Sequence, residues 1–175
     1  AFQRPQADKV VAKEFSLDYQ SARIFKGMQS IVEQHTARTP SGRVDVEIYE
    51  DYRGIVLEVS EDGMFEAGKA DIRPAVWPFL EAVLDVALLN EAAITVEAHT
   101  DNSPMRSAVF PSNDHLSAAR SVSIVQYFLG RSGSRPGGPL PPERIEASAM
   151  GEHRPKMANI NNANRRKNRR IELVF

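Results

Sequence analysis

The sequence has no cysteine in 175 residues. That excludes a disulfide framework, thiolate metal sites and thiol catalysis, and it leaves the redox compartment open. Aromatic residues are few, 7% with the single tryptophan Trp77. Net charge is −1, so no global field draws the chain to nucleic acid or to an acidic surface. The basic cluster from Arg165 to Arg170 has no aromatics between its bases, and a solvated or ion-paired face is expected there. No apolar run approaches the roughly 20 residues that a membrane helix needs. There is no signal-peptide pattern and no internal repeat.

What is present suits one packed domain and an appendage. The hydrophobic fraction is 42%, enough for a single core. Residues 8–37 read as a helix, broken by Thr39-Pro40-Ser41-Gly42. Leu17, Ile24, Met28 and Ile31 form an apolar stripe that Phe25 and Val32 widen. This stripe serves either the chain's own domain or a partner helix. The expected boundary separates a linker and amphipathic helix at 1–42 from a domain at 43–175, which should fold without the helix.

Val44, Val46 and Ile48 alternate with polar residues, as do Ile55, Leu57 and Val59. The two runs predict a hairpin closed by Asp51–Gly54. Glu61-Asp62-Gly63 ends it, and a loop runs from Phe65 to Arg73. Pro74 and Pro78 bracket the entry to a helix whose apolar face is Val76, Leu80, Val83, Leu84, Ala87 and Leu88. Trp77 is read as packing rather than as a sugar platform. Ile94, Val96 and Ala98 mark a central strand with His99 on its other side. Short strands follow at Ile145–Ala149 and Ile171–Phe175, with a helical turn within 159–168. Residues 131–142, rich in glycine and proline, predict a mobile surface loop whose shortening should change little.

The stretch from His99 to Arg120 organises the rest. A strand delivers the acid Asp101 into a loop. A helix capped by Ser112 or Asn113 then carries the base Arg120. Ala118, Val122, Val125 and Leu129 are the expected buried stripe of that helix. Arg120 lies off it, so its loss should leave the fold intact. A fixed acid beside a fixed base suits a zwitterion, because the carboxylate accepts from an ammonium while the guanidinium forks a carboxylate. A structural ion pair between strand end and helix is the other reading. His99 and Asp101 lack a third ligand at a metal-binding spacing. No metal and no cofactor is expected.

The motifs Thr100-Asp101 and Asn113, Leu116, Ser117, Arg120 resemble the signature of OmpA-like peptidoglycan-binding domains. Gly151-Glu152-x-x-Pro155 and Asn168-Arg169-Arg170-Ile171-Glu172 are similar to two further family motifs. The lengthened His99–Pro104 loop, the Phe110, Ser112, Asn113 pattern, and Met64-Phe65 with Gly68 and Ala70 resemble the MotB stator family of flagellar motors. Asp114-His115, Ser121 and the glycine-rich segment at 130–142 depart from that pattern. The resemblance runs from about Val44 to Phe175.

It implies an α/β (α+β) sandwich: a mixed β-sheet with helices packed on one face, preceded here by the amphipathic helix. It also implies non-catalytic binding of peptidoglycan through the diaminopimelate of its stem peptide. Asp101 and Arg120 would hold the zwitterionic carbon. Thr100, Asn102, Asn113 and Leu116 would orient the peptide, and Glu66 is a further candidate in the pocket wall. The expected setting is the periplasmic domain of a protein anchored in the inner membrane, dimeric, with a MotA-like channel subunit as partner. Another OmpA-like wall anchor, such as a lipoprotein or secretion-system subunit, and an enzyme acting on wall peptides are the alternatives.

Overall fold

The computed structural model describes residues 19–36 and 45–175. Leu17, Val44 and the break at 39–42 lie outside the described residues.

Five strands form one mixed sheet: β1 (Val46–Asp51), β2 (Gly54–Ser60), β3 (Ile94–His99), β4 (Ile145–Gly151) and β5 (Arg170–Val174). Their spatial order is β1-β2-β5-β3-β4. Only β3 and β4 run parallel; β5 is antiparallel to both β2 and β3. The last strand of the chain thus occupies the centre, which suits its five buried residues. The hairpin closes tightly, with Asp51 opposite Gly54. Gly54 has φ +130, and a Cβ there would strike the Phe175 carbonyl. Only glycine fits such a turn without strain.

The alternation of each strand divides its two faces. Val46, Val59, Ile171 and Ala98 share one register row, and Ile48, Leu57, Leu173 and Val96 share another. Most of these residues are buried in the core beneath the helices. The helices are α1 (Tyr19–Thr36), the single turn α2 (Glu61–Met64), α3 (Trp77–Leu89), α4 (Asn113–Ser132) and the short α5 (Asn162–Asn168). A 3₁₀ turn at Pro74–Val76 precedes α3, and Pro78 falls in its first turn, where a missing N–H is harmless. All six residues expected on its apolar face are buried.

The stripe of α1 faces this same core. Ile24, Met28 and Ile31 are buried, and Gly27 sits against Val86 of α3. Met28→Ala should therefore cost about 2–4 kcal/mol, as large-to-small core changes do. Urea denaturation checks this. A change near zero would mean that the helix is a detachable element.

Two expectations are corrected. The buried face of α4 is Leu116, Ser117, Arg120, Ser121, Ile124 and Phe128, while Val122 is exposed. The stripe contains an arginine and two serines, so apolar spacing alone selected a flanking set. The serines keep the helix close to the sheet, and the Gly151 N–H donates to Ser117 Oγ at 3.1 Å. The segment after α4 is also tethered rather than free. Arg135 pairs with Asp85 at 2.6 Å and with Glu81 at 2.8 Å, and Leu140 is buried.

Candidate functional site

The site lies where β3 ends and α4 begins. After His99 the Thr100 N–H donates to the Gly151 carbonyl at 2.8 Å, which ties the end of β3 to the end of β4. Gly151 has φ +51, and a Cβ there would collide with the Asp114 carboxylate. Asp101 then curls its carboxylate onto the Ser103 N–H at 2.8 Å. The Asn113 side-chain amide closes the loop by donating to the Asp101 carbonyl, the Ser103 carbonyl and Glu152, at 3.3, 3.0 and 2.8 Å. Ser112 caps α4 by accepting from the His115 N–H.

Asp101 and Arg120 do not pair with each other. Asp101 Oδ2 takes Arg169 Nη1 at 2.6 Å, and Arg120 Nη2 takes Glu61 Oε1 at 2.8 Å. Arg169 Nε stands 3.8 Å from Glu61 Oε2 and links the two pairs. The result is an alternating row, Asp101–Arg169–Glu61–Arg120. Arg120 is only 1% exposed. Its Nε donates to the Lys69 carbonyl at 2.8 Å, its Nη2 also to the Glu66 carbonyl at 3.3 Å, and its guanidinium lies over the Phe65 ring. Among the described residues no hydrogen bond uses Nη1.

The row borders a cleft of about 430 Å³. Asp101, Arg120, Thr100, Asn113 and Leu116 all line it, beside Glu61 and Arg169. Two polar atoms in these walls, Glu61 Oε2 and Thr100 Oγ1, are buried without a hydrogen-bond partner. Asn102 does not line the cleft; its Oδ1 accepts from Arg165 Nε at 3.4 Å. The Glu66 side chain is exposed and paired with Lys69, so only its carbonyl serves the site.

Glu61 and Arg169 were missed by sequence reasoning. Glu61 read as the end of a hairpin, and Arg169 was lost among the five bases of the Arg165–Arg170 cluster. A carboxylate three residues before Met64-Phe65 was the available signal for the first. Membership of the Asn168–Glu172 motif was the signal for the second.

Burial pushes the Glu61 carboxyl up, and Arg120 offsets only part of this. Burial likewise lowers the Arg120 guanidinium against the pull of Glu61. Both shifts run toward the neutral forms, so desolvation outweighs mutual attraction. For Asp101, burial raises the carboxyl, but the Arg169 hydrogen bond and the Ser103 N–H outweigh it and hold it below its ordinary 3.8. A depressed folded-state value stabilises above the unfolded value, and that stabilisation is lost as pH falls through the folded one. Resistance to urea should accordingly fall below about pH 4, and less steeply in Asp101→Asn. Parallel pH profiles would mean that the Asp101–Arg169 pair adds nothing to stability.

Comparison with known proteins places these motifs. The OmpA family model matches residues 64–169. Motility protein B of Bacillus subtilis strain 168 is 31% identical over 123 residues, which is 70% of this chain and 45% of that protein. The chain spans about half the length of such relatives. A MotB-like protein from Desulfovibrio vulgaris superposes with a TM-score of 0.73 at 26% identity, covering 88% of this chain and 92% of that one. The cell wall anchor of the type VI secretion system of Pseudomonas aeruginosa has the same fold, with a TM-score of 0.69 at 22% identity over 87% of this chain and 96% of its own. With more than half of its residues matched by the family model, the chain belongs to the OmpA family.

Proposed function

We propose that this domain binds the diaminopimelate of peptidoglycan stem peptides and anchors a flagellar stator to the cell wall. One observation carries the reading: Asp101 and Arg120 open onto a single cleft although each belongs to a different ion pair. Diaminopimelate presents an ammonium and a carboxylate on one carbon. Asp101 and Glu61 Oε2, which accepts no hydrogen bond, suit the ammonium. Arg120 Nη1 suits the carboxylate, with Arg169, the more accessible cation at 34% side-chain exposure, beside it. A buried pair that costs free energy to desolvate is weak support for stability. Its retention in the cleft wall fits a binding role.

Among the described residues no helix is long and apolar enough to cross a membrane. Membrane anchoring, a periplasmic setting, a homodimer and a MotA-like partner accordingly rest on likeness to Motility protein B. The reading is non-catalytic: it asks Asp101 and Arg120 only to hold the ligand's opposite charges. The likeness to a type VI wall anchor favours one other reading, an OmpA-like anchor for a different envelope machine. An acidic membrane helix upstream would mark the stator; a lipobox or a β-barrel would mark the other anchor.

Sedimentation with purified sacculi tests the binding. The protein should pellet with the wall and release no soluble fragments. Released muropeptides would instead mark an enzyme, and protein left in the supernatant would count against any wall anchor.

A further inference from the structure

The sheet has a second face, opposite the core. Across it runs a register row of glutamates, Glu47, Glu58, Glu172 and Glu97, on β1, β2, β5 and β3. Lys156 bridges Glu47 and Glu58. Arg53, from the β1–β2 turn, reaches both Glu97 and Glu172 at 2.7 Å, and it also pairs with Asp51. Arg170 pairs with Glu172 at 2.7 Å.

Two ladder positions along, on the same face, His99 faces Arg170. The imidazole is 2% exposed. Neither Nδ1 nor Nε2 has a hydrogen-bond partner, although buried polar groups are nearly always satisfied. Nε2 points at the acid pair, 3.6 Å from Glu97 Oε2 and 3.8 Å from Glu172 Oε1. These separations are too long for hydrogen bonds, which lie at about 2.7–3.2 Å. They are close to a different spacing. Nitrogen and oxygen ligands sit about 2.0–2.2 Å from zinc, so neighbouring ligand atoms in a tetrahedron are roughly 3.3–3.6 Å apart. All three ligand atoms lie within 4.8 Å of one another.

We propose that Glu97, His99 and Glu172 form a binding site for one divalent first-row transition-metal ion, of which Zn²⁺ is the first candidate. Imidazole and carboxylate together suit such ions. With His99 neutral, three carboxylates (Asp51, Glu97 and Glu172) face two guanidiniums (Arg53 and Arg170), which leaves negative charge for a cation to meet. The same arginines already hydrogen-bond the two glutamates, the outer-shell support that ligating carboxylates normally have. The spacing in sequence hid the third ligand, because Glu172 arrives from β5 across the ladder. The ion would pin β3 to β5 immediately before Thr100 and Asp101. The site does not depend on the wall-binding reading.

Calorimetric titration of ZnCl₂ into chelator-treated, desalted protein at neutral pH tests this. One equivalent should bind the parent and raise its unfolding temperature. His153→Ala, which removes an exposed histidine, should behave like the parent. His99→Gln and Glu97→Gln should bind at least tenfold more weakly. No saturable binding overturns the site, as does an unchanged isotherm in either of those two variants. If neither variant folds, X-ray absorption of the zinc-loaded parent decides. One imidazole with oxygen ligands supports the site, and two or more imidazoles, or none, overturn it. An imidazolium at His99 is the competing state. It would appear as stability that depends on pH but not on zinc, and that result also overturns the proposal.

Discussion

Arg120→Ala should lose about 3–5 kcal/mol of stability, the usual cost of removing one partner from a buried ion pair. The guanidinium is almost wholly buried and donates to two loop carbonyls as well as to Glu61. Its loss strands Glu61, whose Oε2 already lacks a hydrogen bond. The Phe65–Arg73 loop, one wall of the cleft, would lose its attachment to α4. Wall binding should vanish along with this, partly through the loop and partly through the missing cation. Urea denaturation followed by sacculus sedimentation on the same sample separates the two parts. A fully stable Arg120→Ala protein would mean that the buried row contributes nothing to the fold. Arg120→Lys should restore little, since an ammonium cannot supply donors in the geometry of the guanidinium fork.

Asp101→Ala should behave differently. Its partner Arg169 is partly exposed and keeps Glu61 nearby, so water can take up part of what the carboxylate gave. The stability cost should stay near 1–2 kcal/mol, the range for losing a charged hydrogen bond. Binding should fall far more. An ammonium left unpaired in a partly desolvated cleft costs on the order of 2–5 kcal/mol, more than tenfold in affinity at roughly 1.4 kcal/mol per decade. Equal losses in folding and in binding would return Asp101 to the role of a structural ion-pair partner.

These two residues also illustrate what can be read from the sequence. Strand alternation found β1, β2, β3, β4 and β5, and the apolar period found α3, because burial on one face leaves a period of two or of 3.6. The same rule failed on α4. There the buried stripe carries Arg120, Ser117 and Ser121, so polar side chains occupy the positions that an apolar period would mark. The pairing was hidden for a related reason. Glu61 and Arg169 lie more than a hundred residues apart and meet only because β5 inserts between β2 and β3. Local spacing holds no trace of that insertion. Asn102 and Glu66 show the converse, in that proximity in sequence to Asp101 or to the pocket loop did not bring their side chains into the cleft.

The most direct measurement is competition for sacculi. Purified protein is bound to diaminopimelate-type sacculi, and free meso-diaminopimelate is added in increasing amounts, with cadaverine, a diamine without carboxylates, at matched concentrations as control. The circular dichroism spectrum of each sample certifies the fold. If the cleft grips the zwitterionic carbon, diaminopimelate should release the protein at concentrations where cadaverine does not, and folded Asp101→Ala should never bind. Retention on the wall at saturating diaminopimelate, or full binding by folded Asp101→Ala, would contradict the assignment of this cleft as the peptidoglycan site.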